Sequence, residues 1–116
     1  MAGAPELAAI PLREADVQRL VTDAAELFGW QWCHFRPAQT AHGWRTPVSG
    51  PLGAGWPDLV LVRVHDRRLL FVECKGPNGR LTPEQGAVID TLRAAGLDVR
   101  VVRPEDVDRF IDRVLR

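Results

Sequence analysis

No stretch of this 116-residue chain approaches the roughly 18 consecutive apolar residues that a membrane-spanning helix needs, so no membrane association is expected. Residues 1–11 lack the basic-then-apolar order of a secretory leader. Cysteine is scarce: Cys33 and Cys74 stand far apart, with no metal-ligand spacing and no disulfide framework. A zinc finger, a secreted disulfide scaffold and a membrane protein are thereby excluded, and a protein of a reducing, cytoplasmic compartment is expected. Net charge is missing too, because 15 basic residues balance 15 acidic ones. No global electrostatic attraction to a polyanion follows. Lysine is almost absent, since Lys75 is the single lysine among those 15 and the other 14 are arginine. An ammonium changes protonation when buried and a guanidinium effectively does not, so the place that keeps the one lysine is worth examining.

The composition, 46% hydrophobic and 26% charged, supports a packed core and argues against disorder. The length suits one small domain, expected over residues 11–116 after a flexible stretch at 1–10. Val17, Leu20, Val21, Ala24, Leu27 and Phe28 recur with helical period across residues 12–28, and Gly29 is a fitting stop. Residues 30–36 read as extended. Residues 37–57, with four glycines and several prolines, read as a loop. Two apolar runs, 59–64 and 69–73, flank the polar His65-Asp66-Arg67-Arg68 and predict a hairpin. Thr82-Pro83-Glu84-Gln85 then carries a capping threonine, a proline suited to the first helical position and a capping-box glutamine. That helix runs to about residue 95, a strand follows at 97–102, and an amphipathic helix at 104–115 closes the chain. The order is α-β-β-β-α-β-α, in which the crossover helix allows the third and fourth strands to run parallel in a mixed sheet.

With His65–Arg68 as the turn, Val60 faces Glu73 and Asp58 faces Lys75. Residues two apart on a strand share a face, so Asp58, Glu73 and Lys75 project together at one end of the hairpin, with the two carboxylates as diagonal neighbours. Glu14 is in phase with the buried stripe of the first helix. It either points at the same sheet end or complements the helix dipole as a first-turn acid. Acids and a lysine gathered there suit a hard divalent cation, which takes oxygen ligands and shares them with substrate phosphate. The ammonium can hold the attacking water or neutralise charge growing on phosphorus. A solvent-exposed ion-pair cluster is the plain alternative. Asp58 opening one apolar strand and Glu73 interrupting another speak for the site.

Taken in order, Gly55-Trp56-Pro57-Asp58-Leu59-Val60, Phe71-Val72-Glu73-Cys74-Lys75-Gly76-Pro77 and Leu81-Thr82-Pro83-Glu84-Gln85 resemble the VRR-NUC (virus-type replication-repair nuclease) branch of the PD-(D/E)XK nucleases. The resemblance begins at Arg13-Glu14-Ala15-Asp16-Val17-Gln18 and extends through Val102. It implies a restriction-endonuclease-like α/β fold: an αβββαβ core whose mixed sheet is flanked by helices, plus a C-terminal helix. It further implies Mg²⁺ or Mn²⁺ held by Asp58, Glu73 and the main-chain carbonyl of Cys74, with Lys75 positioning the water. Glu14 matches the acid of the family's first helix, and Gln85 the glutamine that follows the Glu-x-Lys strand. The capping box alone also accounts for Gln85. The Cys74 thiol is expected on the opposite face, as a core residue.

Between Glu26 and Asp58 there is no acidic residue, while Arg36, Arg45, two histidines and all four tryptophans fall there. Cations interleaved with aromatics suit a phosphate backbone with exposed bases. Trp30 and Trp32 read as core strand residues. Arg36, Trp44, Arg45, Trp56 and Arg80 are the DNA-contact candidates. The resemblance thus implies a metal-dependent, structure-specific DNA endonuclease of the stand-alone phage or bacterial type, acting on branched DNA as a Holliday-junction-resolving homodimer. A flap-type or less selective DNase, and a catalytically silent DNA-binding module, are the alternatives.

Overall fold

A computed structural model describes residues 12–35, 38–45 and 48–116; the expected flexible stretch at 1–10 lies outside the described residues. The first helix, α1, spans Glu14–Leu27. The Asp16 carboxylate accepts from the Arg13 N–H at 3.0 Å and satisfies one of the amides that a helix start leaves orphaned. Gly29, at φ 83°, takes the left-handed turn that ends it. Strand β1 (Gln31–His34) follows, then β2 (Ala38–Thr40) and β3 (Gly43–Arg45), which pair antiparallel as a separate two-stranded sheet. The stretch expected to be loop therefore carries a short hairpin, turned by Gly43 at φ 96°, and a single 3₁₀ turn at Gly53–Gly55.

Strands β4 (Leu59–Arg63) and β5 (Arg68–Cys74) form the expected hairpin, α2 spans Pro83–Ala94 and β6 Asp98–Val102. The main sheet has the order β1-β4-β5-β6, with β5 and β6 parallel and the other pairs antiparallel. This is the αβββαβ core with helices on both faces. Against one face pack α1 and the C-terminal segment, burying Val17, Val21, Leu59, Leu61, Leu70 and Leu115. Against the other packs α2, through Val88, Ile89 and Leu92 on Phe71 and Val99. The C-terminal segment is less regular than its periodicity predicts. A 3₁₀ turn (Pro104–Asp106) leads into α3 (Val107–Phe110) and then a wider π-helical turn (Ile111–Leu115). Its inner residues, Val107, Phe110 and Leu115, belong to the core, as the amphipathic pattern implies.

The hairpin register differs from the expected one by two residues. Val60 pairs with Phe71 and Val62 with Leu69, and the turn occupies 64–67 with Arg67 at φ 54°. The cause lies in the inward-facing Arg63. It is 6% exposed, donates to the Phe28 and Leu115 carbonyls at 3.1 and 2.8 Å, and lies over the Trp30 ring at 4.6 Å. Its partner across the hairpin, Arg68, reaches the Val114 carbonyl at 2.8 Å and the same ring. Pairing Arg63 with Arg68 satisfies the last carbonyls of the C-terminal helix, and Val64 is released into the turn at 73% exposure. Because the pleat repeats every two residues, a shift of two leaves every side chain on its expected face.

Candidate active site

Extending the observed register by one pair beyond Leu59 and Val72 puts Asp58 directly opposite Glu73, closer than the diagonal relation expected. Asp58 is held twice. Its main-chain carbonyl accepts from the Phe35 N–H at 2.9 Å, and its Oδ2 accepts from the Cys74 N–H at 2.8 Å. The main chain of Cys74 is thus tied to the Asp58 carboxylate. Its thiol is fully buried on the other face beside Leu70 and Val72, as expected, and burial together with the nearby carboxylates pushes it far above the usual thiol range.

Glu73 is 2% exposed and Lys75 6%, both at the end of β5. Lys75 Nζ lies 3.3 Å from Glu73 Oε2 and donates to Gln85 Oε1 at 2.8 Å. Gln85 Nε2 donates to Glu73 Oε2 at 3.1 Å. The same Gln85 Oε1 accepts from the Thr82 N–H at 3.0 Å, while Thr82 Oγ1 accepts from the Gln85 N–H at 3.1 Å. The capping box that starts α2 also brings the Gln85 amide to Glu73 and Lys75. The second oxygen, Glu73 Oε1, is buried and has no hydrogen-bond partner among the described residues. Burial first, and the neighbouring Asp58 charge second, raise the Glu73 carboxyl to about 8 despite the opposing Lys75 ammonium.

Glu14 reaches the same place from α1. It lines one cavity of about 720 Å³ together with Asp58, Glu73, Lys75 and Gln85. Burial and the Asp58 charge raise its carboxyl above the ordinary range, with Lys75 opposing. Two glycines allow these approaches. A Cβ on Gly76 would lie 3.2 Å from the Glu14 main-chain nitrogen, so the end of β5 abuts the start of α1. A Cβ on Gly55 would fall 2.2 Å from the Glu84 carbonyl oxygen, so the turn that leads into Asp58 rests on the first turn of α2. The Gly55-Trp56-Pro57-Asp58 and Pro83-Glu84-Gln85 segments are thereby locked together in backbone contact.

Of the DNA-contact candidates, Trp44 is 65% exposed at the rim of the cavity. Trp56 is half-buried in its wall, edge-on to Phe35 (6.1 Å) and Phe71 (5.5 Å). Arg80 is exposed on the loop before α2. Arg36 and the side chain of Arg45 lie outside the described residues. Trp30 is core, as expected, with its Nε1 donating to the Leu115 carbonyl at 2.9 Å. Trp32 is not core. It is 37% exposed, because β1 is the edge strand and only Trp30 reaches beneath the C-terminal segment. Gln18 and His34 also line the cavity and were not among the expected site residues. Gln18 stands one turn after Glu14 on the same helical face, a spacing that points to it. His34 carries no such signal, because it depends on β1 pairing with Leu59 at the sheet end.

Known proteins sharpen the assignment. The profile of the VRR-NUC domain matches residues 33–106, which is more than half of the chain. The chain belongs to the VRR-NUC domain family. A solved VRR_NUC domain superposes with a TM-score of 0.64 at 25% identity, covering 87% of this chain and 96% of that one. Fanconi-associated nuclease 1 of Danio rerio is 45% identical over 47 residues, 40% of this chain, which spans only 5% of that protein's length. The family is related to the PD-(D/E)XK nucleases, and all three motif segments fall inside the matched region. Among the described residues, no three His, Cys, Asp or Glu side chains gather tightly enough to hold a metal ion by themselves, and no helix is long and apolar enough to cross a membrane.

Proposed function

We propose that the domain, taken as a single unit over residues 11–116, is a Mg²⁺- or Mn²⁺-dependent DNA endonuclease acting at branched structures, with Holliday-junction resolution by a homodimer as its specific form. One observation carries the reading: Glu73 presents a buried, unpartnered carboxylate oxygen beside Asp58, while its other oxygen is fixed by Lys75 and Gln85. An anion so placed is costly without a further positive charge. A hard divalent cation fits the donor set, because two carboxylates and a main-chain carbonyl suffice where substrate phosphate and water complete the shell. Asp58, Glu73 and the Cys74 carbonyl would hold it. When bound, the cation supplies Lewis-acid polarisation of the phosphate and a more acidic water.

The chain's own groups supply the rest. Lys75, nearly out of solvent and held by Gln85, presents its ammonium at a fixed point where it orients the attacking water or stabilises charge on the phosphorus oxygens. Gln85 bridges Glu73 and Lys75, and Glu14 borders the approach as a third carboxyl. Trp44 and Trp56 line the opening, and with Arg36, Arg45 and Arg80 as further DNA contacts this mixture of cations and rings provides the attraction that the neutral chain lacks overall. A symmetric junction needs two centres related by a two-fold axis, which is the reason for the homodimer.

Matched duplex, flap and four-way-junction DNAs incubated with Mg²⁺, Mn²⁺ or EDTA test this, beside Glu73→Ala and Lys75→Ala. Paired symmetric nicks on the junction, lost in EDTA and in both variants, are the expected result. Cutting of flaps or duplex alone keeps the chemistry and removes the junction. Tight binding without cutting under any metal would leave a DNA-binding module.

A further inference from the structure

A second recess of about 340 Å³ opens along the seam of α1 and β1, lined by Ala15, Gln18, Arg19, Thr22, Trp32 and His34. It shares Gln18 and His34 with the main cavity, so the two adjoin along these side chains. Its polarity is the reverse of its neighbour's. Three carboxyls line the main cavity, whereas no acidic side chain lines the recess, and Arg19 contributes an exposed guanidinium. Two acids of α1 near these residues in the sequence carry hydrogen bonds of their own. Asp16 accepts from the Arg13 main chain at 3.0 Å, and Glu26 accepts from the Trp32 Nε1 at 3.1 Å. That last bond holds the indole by its polar edge, and Trp32 is 37% exposed.

A nucleotide chain passing through the main cavity meets carboxylates and the cation they hold at the scissile phosphate. One step further along it needs the opposite environment, a cation for the next phosphate and a flat apolar surface for a base. The recess offers both, in a volume at the low end of small-ligand clefts, which run from about 300 to 1,000 Å³. We infer that it is a nucleotide subsite, which takes one unpaired nucleotide of the strand leaving the cleavage point, with its base against Trp32 and its phosphate at Arg19. The inference rests on the nuclease reading and adds to it two binding residues, Trp32 and Arg19. A paired base offers its faces to its neighbours in the stack, so the subsite selects for an unpaired strand next to the cut.

Binding is measured in a Glu73→Gln background, which prevents cleavage, with a short oligothymidylate and a blunt duplex as labelled probes. Trp32→Ala should weaken oligothymidylate binding roughly ten-fold, as loss of one base–aromatic stack does, and change duplex binding less than about two-fold. Trp32→Phe should recover part of the loss. Arg19→Gln should lower the salt dependence of binding by close to one phosphate contact. In the active protein, Trp32→Ala should raise KM for a DNA with an unpaired arm and leave kcat unchanged. Unaltered oligothymidylate binding by both variants, in a protein whose Glu73 form cuts DNA with Mn²⁺, would overturn the subsite alone. A Glu73 form that neither binds nor cuts any of these DNAs would overturn the nuclease reading and the subsite with it.

Discussion

Replacing Glu73 with glutamine should make the metal-free protein more stable and inactive at the same time. The carboxyl titrates at about 8 in the fold against an ordinary value of 4.5, because burial and Asp58 disfavour its charged form. A group whose pKa is raised by folding contributes its full stability below the unfolded value and loses it as the pH climbs through the folded one. The window here runs from about pH 4.5 to about pH 8. Each pH unit of that difference corresponds to about 1.4 kcal/mol, so between about pH 5 and pH 8 the parent loses on the order of 3 kcal/mol that Glu73→Gln keeps. For a domain whose whole stability is about 5–15 kcal/mol this is a large fraction, roughly 10 °C or more in Tm.

Urea unfolding in EDTA at a series of pH values measures the difference directly. The two proteins should be nearly equal in stability around pH 5 and diverge steadily towards pH 8, with the glutamine variant ahead. Glutamine keeps the size of the side chain and an acceptor for Lys75, so the divergence reports charge and not packing. Mn²⁺ should reverse the order at pH 8, since it stabilises the parent in proportion to its occupancy and finds no anion at position 73 in the variant. Parallel loss of stability by both proteins between pH 5 and pH 8 would refute the reasoning, because the cost would then lie elsewhere than in the Glu73 charge.

Gly55→Ala should reduce cleavage and destabilise the fold by about 1–3 kcal/mol, because its Cβ would enter the Glu84 carbonyl and push Asp58 and Gln85 apart; cleavage rates and urea midpoints together check it. Arg63→Met should cost about 3 kcal/mol, since it removes the donor to Asp66 and the Phe28 carbonyl and leaves the Leu115 carbonyl to the Trp30 indole N–H, and denaturant unfolding measures this. Thiol titration should find one reactive cysteine in the native protein and two in urea: Cys33 is exposed, whereas Cys74 is buried with its thiol held protonated. Two fast-reacting thiols under native conditions would show that the core around Cys74 opens.

The sequence carried the site better than it carried the surface around it. Asp58, Glu73 and Lys75 could be placed on one face even with the hairpin register two residues out, because a strand's side chains depend only on whether a shift is odd or even. The α2 start was readable because Thr82, Pro83 and Gln85 act within one turn, with no help from the rest of the fold. What could not be read depends on distant contacts. Arg63 sets the turn by reaching carbonyls near the two ends of the helical layer, at Phe28 and Leu115. The β2–β3 hairpin hides in a glycine- and proline-rich stretch, and three-residue strands are too short to show alternation. Trp30 and Trp32 are two apart and share a face, so period alone cannot separate them. Only the position of β1 at the sheet edge makes one core and the other accessible.

Gln85 shows why a fold this small can keep a strained anion in place. Its Oε1 takes one hydrogen bond from the Thr82 amide, which α2 needs in order to start, and another from Lys75, which the site needs in order to hold its ammonium. Gly55 brings the Asp58 turn onto the same first helical turn. The forces that begin the crossover helix are therefore the forces that set the spacing of Asp58, Glu73 and Lys75, and the helix cannot form as it does without presenting the amide to the carboxylate. Helix capping contributes about 1 kcal/mol and the two buried faces of the sheet contribute far more, enough to offset the cost of burying the Glu73 carboxyl. A carboxyl is costly to bury, and here it is held at the junction of two elements whose own backbone requirements fix it, so its geometry does not depend on a bound ion.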